Sequence, residues 1–519
     1  MTVTTQGTSG PSGDAVPSTH VVPAPVSVRP DPSADYLLVP EDSVWATAGS
    51  QEARDAAEFL AQLLRVPTGY RLPVEEAPAG DRPRGGVALL LESGGSEGGA
   101  TPGAYTLDVT PQGVTVVAAD REGLFNGVAT LRQLLPLRVD SREPVEGPWP
   151  VAGGRVEDRP RYPYRGAHLD VARNFMPVEN VKRFIDTIAR YKINHFHLHL
   201  TNDQGWRIEI TSRPDLTAIG GATGVGGVSQ GHYTQDEYRD LVRFAWERGI
   251  TLVPEIEGPN HGHAAIASYP ELNEDGTAPP PHLGYGPSQQ GLAIHHEPTY
   301  AFLDEVIGEI AALTPGPYLH IGGDETPHRP SEDLAHYFSR VQEIVQRHGK
   351  QLIGWQESAA YLTPSSNITQ FWVPGINDEE VLSAAKDGAR VIVSPAERAY
   401  LDMRYASDKP EYPIGTVWAG TTDLRRAYDW QPEAVLEGLP PSSVLGVESA
   451  LWTETIYGID QAEHLAFPRL LAVAEVAWSA PEAKDWDSFT TRLASQGPRL
   501  RQAGVNYYRV PEVRWPFGS

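Results

Sequence analysis

The sequence of 519 residues contains no cysteine. Disulfides, thiolate nucleophiles and thiolate metal centres are therefore excluded outright. Basic residues are also in deficit, 42 against 67 acidic ones, which leaves a net charge of −25. A field of that sign repels nucleic acid and anionic membranes, so neither is expected as a partner. It repels acidic sugar polymers too, and a neutral or cationic substrate fits better. Long apolar runs are missing, since nothing approaches the roughly 18 consecutive residues that a membrane helix needs. The first thirty residues have neither the basic nor the apolar region of a signal peptide. On this reading the chain is cytoplasmic if Met1 is its native start and extracellular if a signal was removed. A Gly-x-Gly-x-x-Gly turn opening a helix after the first strand is absent as well, which counts against dinucleotide binding.

What is present is a globular composition, 40% hydrophobic, with length for two or three domains. Residues 1–32 are rich in Pro, Ser, Thr and Gly and are expected to form a flexible N-terminal segment. Residues 33–154 read as a small α+β support domain. A helix is expected over Gln51–Leu64, a strand over Gly86–Leu91 and a hairpin over Tyr105–Val117 turning at Pro111-Gln112-Gly113. A second helix follows over Arg121–Leu134, with Leu124, Val128 and Leu131 at helical spacing.

From residue 155 to 519 the texture changes to repeated β–α units. Eight strands are expected, at Arg165–Ala172, Ile193–Asn202, Thr251–Glu257, Tyr318–Asp324, Gln351–Gln356, Asn367–Trp372, Arg390–Ser394 and Val444–Leu451. Helical stripes separate most of them, and Thr234 with Glu237 makes a capping box for one. The fold class is therefore α/β, a (β/α)8 TIM barrel preceded by a smaller α+β domain and closed by a C-terminal helical segment. Barrel chemistry collects at the C-terminal ends of the strands. Those ends carry Asp170 and Arg173, Asp203, Glu257 and His261, Asp324 and Glu325, Trp355 and Glu357, Trp372, and Trp452 with Glu454; Tyr400 and Asp402 follow the seventh strand.

The sharpest motif is His320-Ile-Gly-Gly-Asp324-Glu325. Two glycines let the strand end bend so that neighbouring carboxylates can both face the mouth. Adjacent carboxylates repel each other's charge, which favours a proton on one of them. A protonated carboxylic acid is what departure of a glycosidic oxygen needs. The plainer reading is a helix start, with Asp324 as the cap. The aromatic set Trp355, Trp372, Tyr400 and Trp452 suits the C–H face of a pyranose or a small methyl group. Arg165, Asp402 and Glu454 could hold hydroxyls.

Together these residues resemble family 20 of the glycoside hydrolases, the β-N-acetylhexosaminidases. The resemblance rests on the motif around Asp324-Glu325, Arg165-Gly-x-x-Leu-Asp170, His197-x-His199-Leu-Thr-Asn-Asp203-Gln-Gly-Trp206-Arg207 and Pro254-Glu-Ile-Glu-Gly-Pro-x-His261. Gly354-Trp355-Gln-Glu357, Tyr400-Leu-Asp402 and Leu451-Trp452-Thr-Glu454 complete it. It implies a retaining exo-β-N-acetylhexosaminidase acting on terminal β-linked GlcNAc or GalNAc, with no cofactor and no metal. The substrate's own acetamido oxygen would attack through an oxazolinium intermediate. Glu325 would protonate the leaving oxygen and Asp324 would hold the acetamido N–H. Tyr400 would donate to the acetamido oxygen, and Trp355, Trp372 and Trp452 would enclose the acetamide and carry the sugar face. Arg165, Asp402 and Glu454 would bind ring hydroxyls, while Asp203 and His261 would orient the two carboxylates from behind.

Two other readings compete. A metal-dependent amidohydrolase on the same barrel could use His195, His197 and His199, which alternate along one strand. The tryptophans at the fifth and sixth strand ends leave such a metal shell incomplete, and the histidines are expected to hydrogen-bond in the barrel interior. A non-catalytic amino-sugar-binding protein would keep the tryptophans and lose the acid, but Asp324 and Glu325 are both present.

Overall fold

The computed structural model describes residues 16–77, 82–92, 101–228, 230–326, 328–406 and 414–516. Eight parallel strands close into a barrel in sequence order: Tyr164–Asp170, His195–His199, Thr251–Glu255, Tyr318–His320, Gln351–Trp355, Asn367–Phe371, Arg390–Val393 and Val444–Ser449. Each coincides with a strand expected from the sequence, and each ends two to four residues sooner except those capped by Trp355, Phe371 and Val393, which end one sooner. The trimmed residues leave the ladder to form the mouth. Thr234 and Glu237 make the expected capping box, at the start of helix Gln235–Trp246.

The barrel interior is graded along its axis. Tyr164, Val253, Ile353, Ile368, Ile392 and Leu445 pack as an apolar plug at the N-terminal end. Above it two buried carboxylates, Glu255 and Glu448, are each saturated by neighbours. Glu448 accepts from the Tyr164 hydroxyl at 2.7 Å and Gln370 at 2.7 Å, and pairs with His197 Nδ1 at 2.8 Å. Glu255 contacts His197 Nε2 at 3.0 Å, His320 Nδ1 at 2.9 Å and His199, and accepts from Trp355 Nε1 at 2.9 Å. Despite burial, the two carboxylates push His197 up to about 10, so it is an imidazolium between two anions. His197, His199 and His320 thus fill the interior with hydrogen bonds, while His195, lower on its strand, contacts Asn194 Oδ1 at 2.7 Å and stacks on Tyr164.

The N-terminal domain is a seven-stranded sheet in the order Ser27–Pro30, Gly154–Asp158, Tyr105–Thr110, Gly113–Ala118, Gly86–Leu91, Ser43–Thr47, Val74–Ala77. Helices α1 (Gln51–Thr68) and α2 (Arg121–Leu134) pack on it. Side chains of Ser50 and Asp120 cap them, accepting from Ala53 and Gly123 N–H. Gly123 and Gly127 let α2 lie close to the sheet, because an added Cβ would meet Ala104 O at 2.3 Å and Val116 at 2.3 Å.

Two boundaries differ from the sequence reading. Residues 1–15 of the expected flexible segment lie outside the described residues, but 16–32 are a fixed part of the fold. Val21 and Val22 are fully buried. Gln133 takes both backbone groups of Val22, and Ala24 N–H donates to Glu475. A proline-rich strip has little ladder of its own, yet side chains of both domains satisfy its backbone and pin it between them. The support sheet also extends past residue 154, to Asp158. That carboxylate accepts from Lys192 Nζ at 2.8 Å, Tyr105 Oη at 2.8 Å and Trp478 Nε1 at 3.0 Å, welding the two domains.

Candidate active site

Asp324 and Glu325 follow the fourth barrel strand, and the backbone explains why both face the mouth. Gly322 and Gly323 have φ of +67° and +97°, and Glu325 itself has φ of +52°. A side chain at Gly322 would put Cβ 1.6 Å from Glu257 Oε1, so glycine is obligatory there. The next helix begins only at Ser331, which removes the helix-cap reading of Asp324.

Behind the pair stands His261. Its Nδ1 meets Asp203 Oδ2 at 3.1 Å, and its Nε2 lies 3.7 Å from Asp324 Oδ2 and 3.4 Å from Glu325 Oε2. Asp203 is fixed in turn by the backbone N–H of His263 at 3.2 Å and of Ser288 at 2.8 Å. Burial works against charge on His261, but Asp324's charge and Asp203's hydrogen bond hold it well above the usual histidine value. Asp203 and His261 thus form a chain that ends on the two carboxylates.

The two carboxylates are split in an unexpected sense. Burial lifts Asp324 above its ordinary range, against the pull of His261. The contact with His261, whose Nε2 lies 3.4 Å from its Oε2, lowers Glu325, whose side chain is 45% exposed. A proton on Glu325 by simple repulsion from Asp324 is thus too simple a picture: His261 and the two carboxylates titrate together. Two further carboxyls surround them. Burial and Asp324's charge hold Glu257 well above the ordinary value, and the same two causes push Glu357 up to about 7.

The aromatic set converges as expected. Trp355 and Trp452 lie 5.8 Å apart, Tyr400 is 6.1 Å from Trp452, and Tyr400 stacks on Trp372 at 6.4 Å. Trp418, more than half exposed, stands edge-on to both Trp372 and Tyr400 at 5.9 Å. The sequence reading missed Trp418, which sits in an irregular loop with no periodic or motif signal. Beyond this box lie Arg173, Asp402 and Glu454. Arg173 is 3.6 Å from Asp170, 3.7 Å from Glu454 and 4.9 Å over the Trp452 ring. Burial and Glu454's charge push Asp402 up to about 8. Asp324 Oδ1, Asp402 Oδ1 and Arg173 Nε are buried with no hydrogen-bond partner among the described residues. Beside Glu325, on the opposite side, opens a cavity of about 700 Å³ lined by Asn260, Arg329, Glu357, Tyr361 and Trp372, among others.

Arg165 is a correction. It lies at the N-terminal end of its strand, 1% exposed, donating to Lys192 O, Tyr162 O and Glu122 under Trp478. Side chains at the start of a barrel strand point away from the mouth, and this one ties the barrel to α2. Arg173, after the same strand, is the guanidinium at the site.

The metal alternative finds its ligand types in the interior, where His168, His199 and Glu255, and His197, Glu255 and His320, bring donor atoms within 4.8 Å of one another. Both groups share Glu255, whose oxygens are taken by three imidazoles and Trp355, and their histidines pack against Trp355 and Trp452 of the aromatic box.

A (β/α)8 barrel that joins adjacent carboxylates to an aromatic box at its C-terminal face defines a glycoside hydrolase. The comparisons carry this further. The model of glycosyl hydrolase family 20, catalytic domain, matches residues 162–336 and 328–481, and that of its domain 2 matches residues 18–159. The chain belongs to glycosyl hydrolase family 20. It is 36% identical to the beta-N-acetylhexosaminidase of Cellulomonas fimi, over 96% of this chain and 98% of that one. The structure of the beta-N-acetylhexosaminidase from Streptomyces coelicolor A3(2) superposes with a TM-score of 0.90 at 45% identity, covering 97% of this chain and 100% of that one. The Streptomyces plicatus enzyme in complex with thio-NAglucal gives 0.90 at 46%, covering 97% and 99%.

Proposed function

We propose that the retaining exo-β-N-acetylhexosaminidase reaction of this chain is divided among the residues as follows. The observation that carries the assignment is a box of Trp355, Trp372, Tyr400 and Trp452 with Asp324 at its edge, partly exposed but with Oδ1 buried and unpartnered among the described residues. An apolar-walled recess with one acceptor at its lip matches an acetamido group, methyl inward and N–H to the carboxylate. Held so, the acetamido carbonyl oxygen attacks the anomeric carbon as the glycosidic C–O bond breaks. Asp324 stays ionised and stabilises the oxazolinium cation. The leaving oxygen takes its proton from Glu325, which the His261 pair supplies. A sugar covering Glu325 removes water, and low dielectric favours the neutral carboxylic acid and imidazole over the ion pair. Water then attacks the anomeric carbon from the leaving-group side as that carbon's bond to the acetamido oxygen breaks and the acetamide is restored; it returns a proton to Glu325 and gives a β product. Tyr400 donates to the acetamido oxygen. Arg173, Asp402 and Glu454 take ring hydroxyls at the far end, and the cavity beside Glu325 receives the leaving group.

This arrangement sets the pH profile. Asp324 must be ionised, and its carboxyl is held above the ordinary 3.8. The rate is therefore lost as pH falls through that raised value. The His261–Glu325 pair must keep its proton, and the rate is lost again as pH rises and that proton leaves. The kcat/KM profile for an aryl N-acetyl-β-glucosaminide is expected to be a bell, with its acid limb displaced upward. A profile still climbing at pH 9 contradicts the assignment.

The two arginines separate cleanly. Arg173→Met is expected to cost about 10–10²-fold in kcat/KM, the worth of a charge-assisted hydrogen bond to a hydroxyl. Arg165→Met breaks a buried pair and is expected to lower thermal stability, with KM of the folded enzyme unchanged. Kinetics and thermal unfolding of both variants check this, and a normal KM in Arg173→Met would remove that residue from the binding site.

A further inference from the structure

Glu357 carries a role that neither the reaction nor the sugar contacts require. It sits in the turn after the fifth strand, almost fully buried, with both carboxyl oxygens engaged. Oε1 accepts the backbone N–H of Glu325 at 3.1 Å, and Oε2 accepts the indole N–H of Trp372 at 3.2 Å. The other backbone group of Glu325, its carbonyl, accepts from Asn260 Nδ2. Asn260 is itself held by Arg329 Nε at 2.8 Å. Glu325 thus has a left-handed backbone that a residue with a Cβ adopts only when its surroundings impose it. Side chains from two neighbouring loops grip it at both ends.

We infer that Glu357 is a positioning residue for the proton donor: by holding Glu325 N–H it fixes the strained backbone that aims the Glu325 carboxyl, and it acts on the reaction through Glu325. The inference rests on the assignment of Glu325 as donor. Its location supports this further, since the turn bearing Glu357 also carries Gln356, whose Oε1 accepts from the backbone N–H groups of Trp372 and Val373. The wall at Trp372 is therefore anchored twice over, whereas among the described residues Glu357 alone accepts the Glu325 backbone N–H.

The test is a double-mutant cycle read with two leaving groups. Glu357→Ala is expected to lower kcat on N,N′-diacetylchitobiose on the order of 10²-fold, the cost of a misplaced reacting group, with KM nearly unchanged. On a dinitrophenyl glycoside, which needs little protonation, the loss should be slight. In a Glu325→Gln background, Glu357→Ala should cost nothing further on either substrate. Glu357→Gln keeps an oxygen for the Glu325 N–H and should retain most of the rate; it is read in the same way if the alanine variant fails to fold, with Glu357→Asp, whose carboxylate falls short, as the impaired partner. Equal losses on both leaving groups, or losses that multiply in the Glu325→Gln background, would overturn the inference and assign the effect to Trp372. If Glu325→Gln itself shows no dependence on leaving group, the donor assignment fails and the inference falls with it.

Discussion

Glutamine at position 325 is expected to lower kcat on N,N′-diacetylchitobiose by on the order of 10²–10⁴, the usual worth of a positioned general acid. The Glu325 side chain is half-exposed and its partner is His261, so the substitution removes a titrating oxygen without opening a cavity. Its backbone anchors, Glu357 and Asn260, are untouched. Fold and sugar affinity should persist, which places the loss in kcat. The decisive feature is its dependence on the leaving group. A dinitrophenolate departs almost unaided, whereas a sugar hydroxyl must be protonated as its bond breaks, so the loss should shrink sharply on the aryl substrate. Equal losses on both would exclude Glu325 as the acid, whatever their size.

The barrel was legible because its strands are short apolar runs bounded by turn residues and separated by helical stripes. Their C-terminal ends could be located from that pattern, and polar and aromatic residues gathered there. The reading of Arg165 failed on geometry that the same pattern contained. Five residues of strand separate it from Asp170, roughly 17 Å of extended chain, so it had to lie near the opposite end of the barrel. Arg173 was visible at the correct end but carried no motif of its own. The protonation pattern was not legible at all. His261 is 63 residues from Asp324 in sequence, and only the closed barrel brings its Nε2 against both carboxylates, reversing the order of their proton affinities from the one that repulsion alone suggests. The pinned strip at 16–32 was hidden for another reason: composition reports how little structure a segment makes by itself, and says nothing of side chains elsewhere that hold it.

The largest effect of all is expected when the nucleophile is deleted from the substrate. A β-glucoside with a plain 2-hydroxyl, identical elsewhere, should be cleaved at least on the order of 10³-fold more slowly, the gain of a well-placed neighbouring group. In a retaining enzyme of the ordinary kind a second carboxylate would attack the anomeric carbon, and the glucoside would remain a fair substrate. Here the nearest carboxyls are poorly suited to that task. Glu257 lies beneath Gly322 and Gly323, where burial and Asp324's charge hold its carboxyl well above the ordinary range and disfavour the nucleophilic anion. Both oxygens of Glu357 are taken. Asp324 remains, with Oδ1 unpartnered among the described residues and beside the aromatic box, and in the proposed assignment it accepts the acetamido N–H. Asp324→Asn keeps the shape but removes the charge and turns one acceptor into a donor, so it should impair kcat far more than KM. A thiazoline copy of the cyclic intermediate should inhibit strongly, and early NMR spectra should show the β anomer as first product. If the glucoside is cut at a comparable rate, or if a 2-fluoro sugar labels a carboxylate covalently, the acetamido group is not the nucleophile and Asp324 must be.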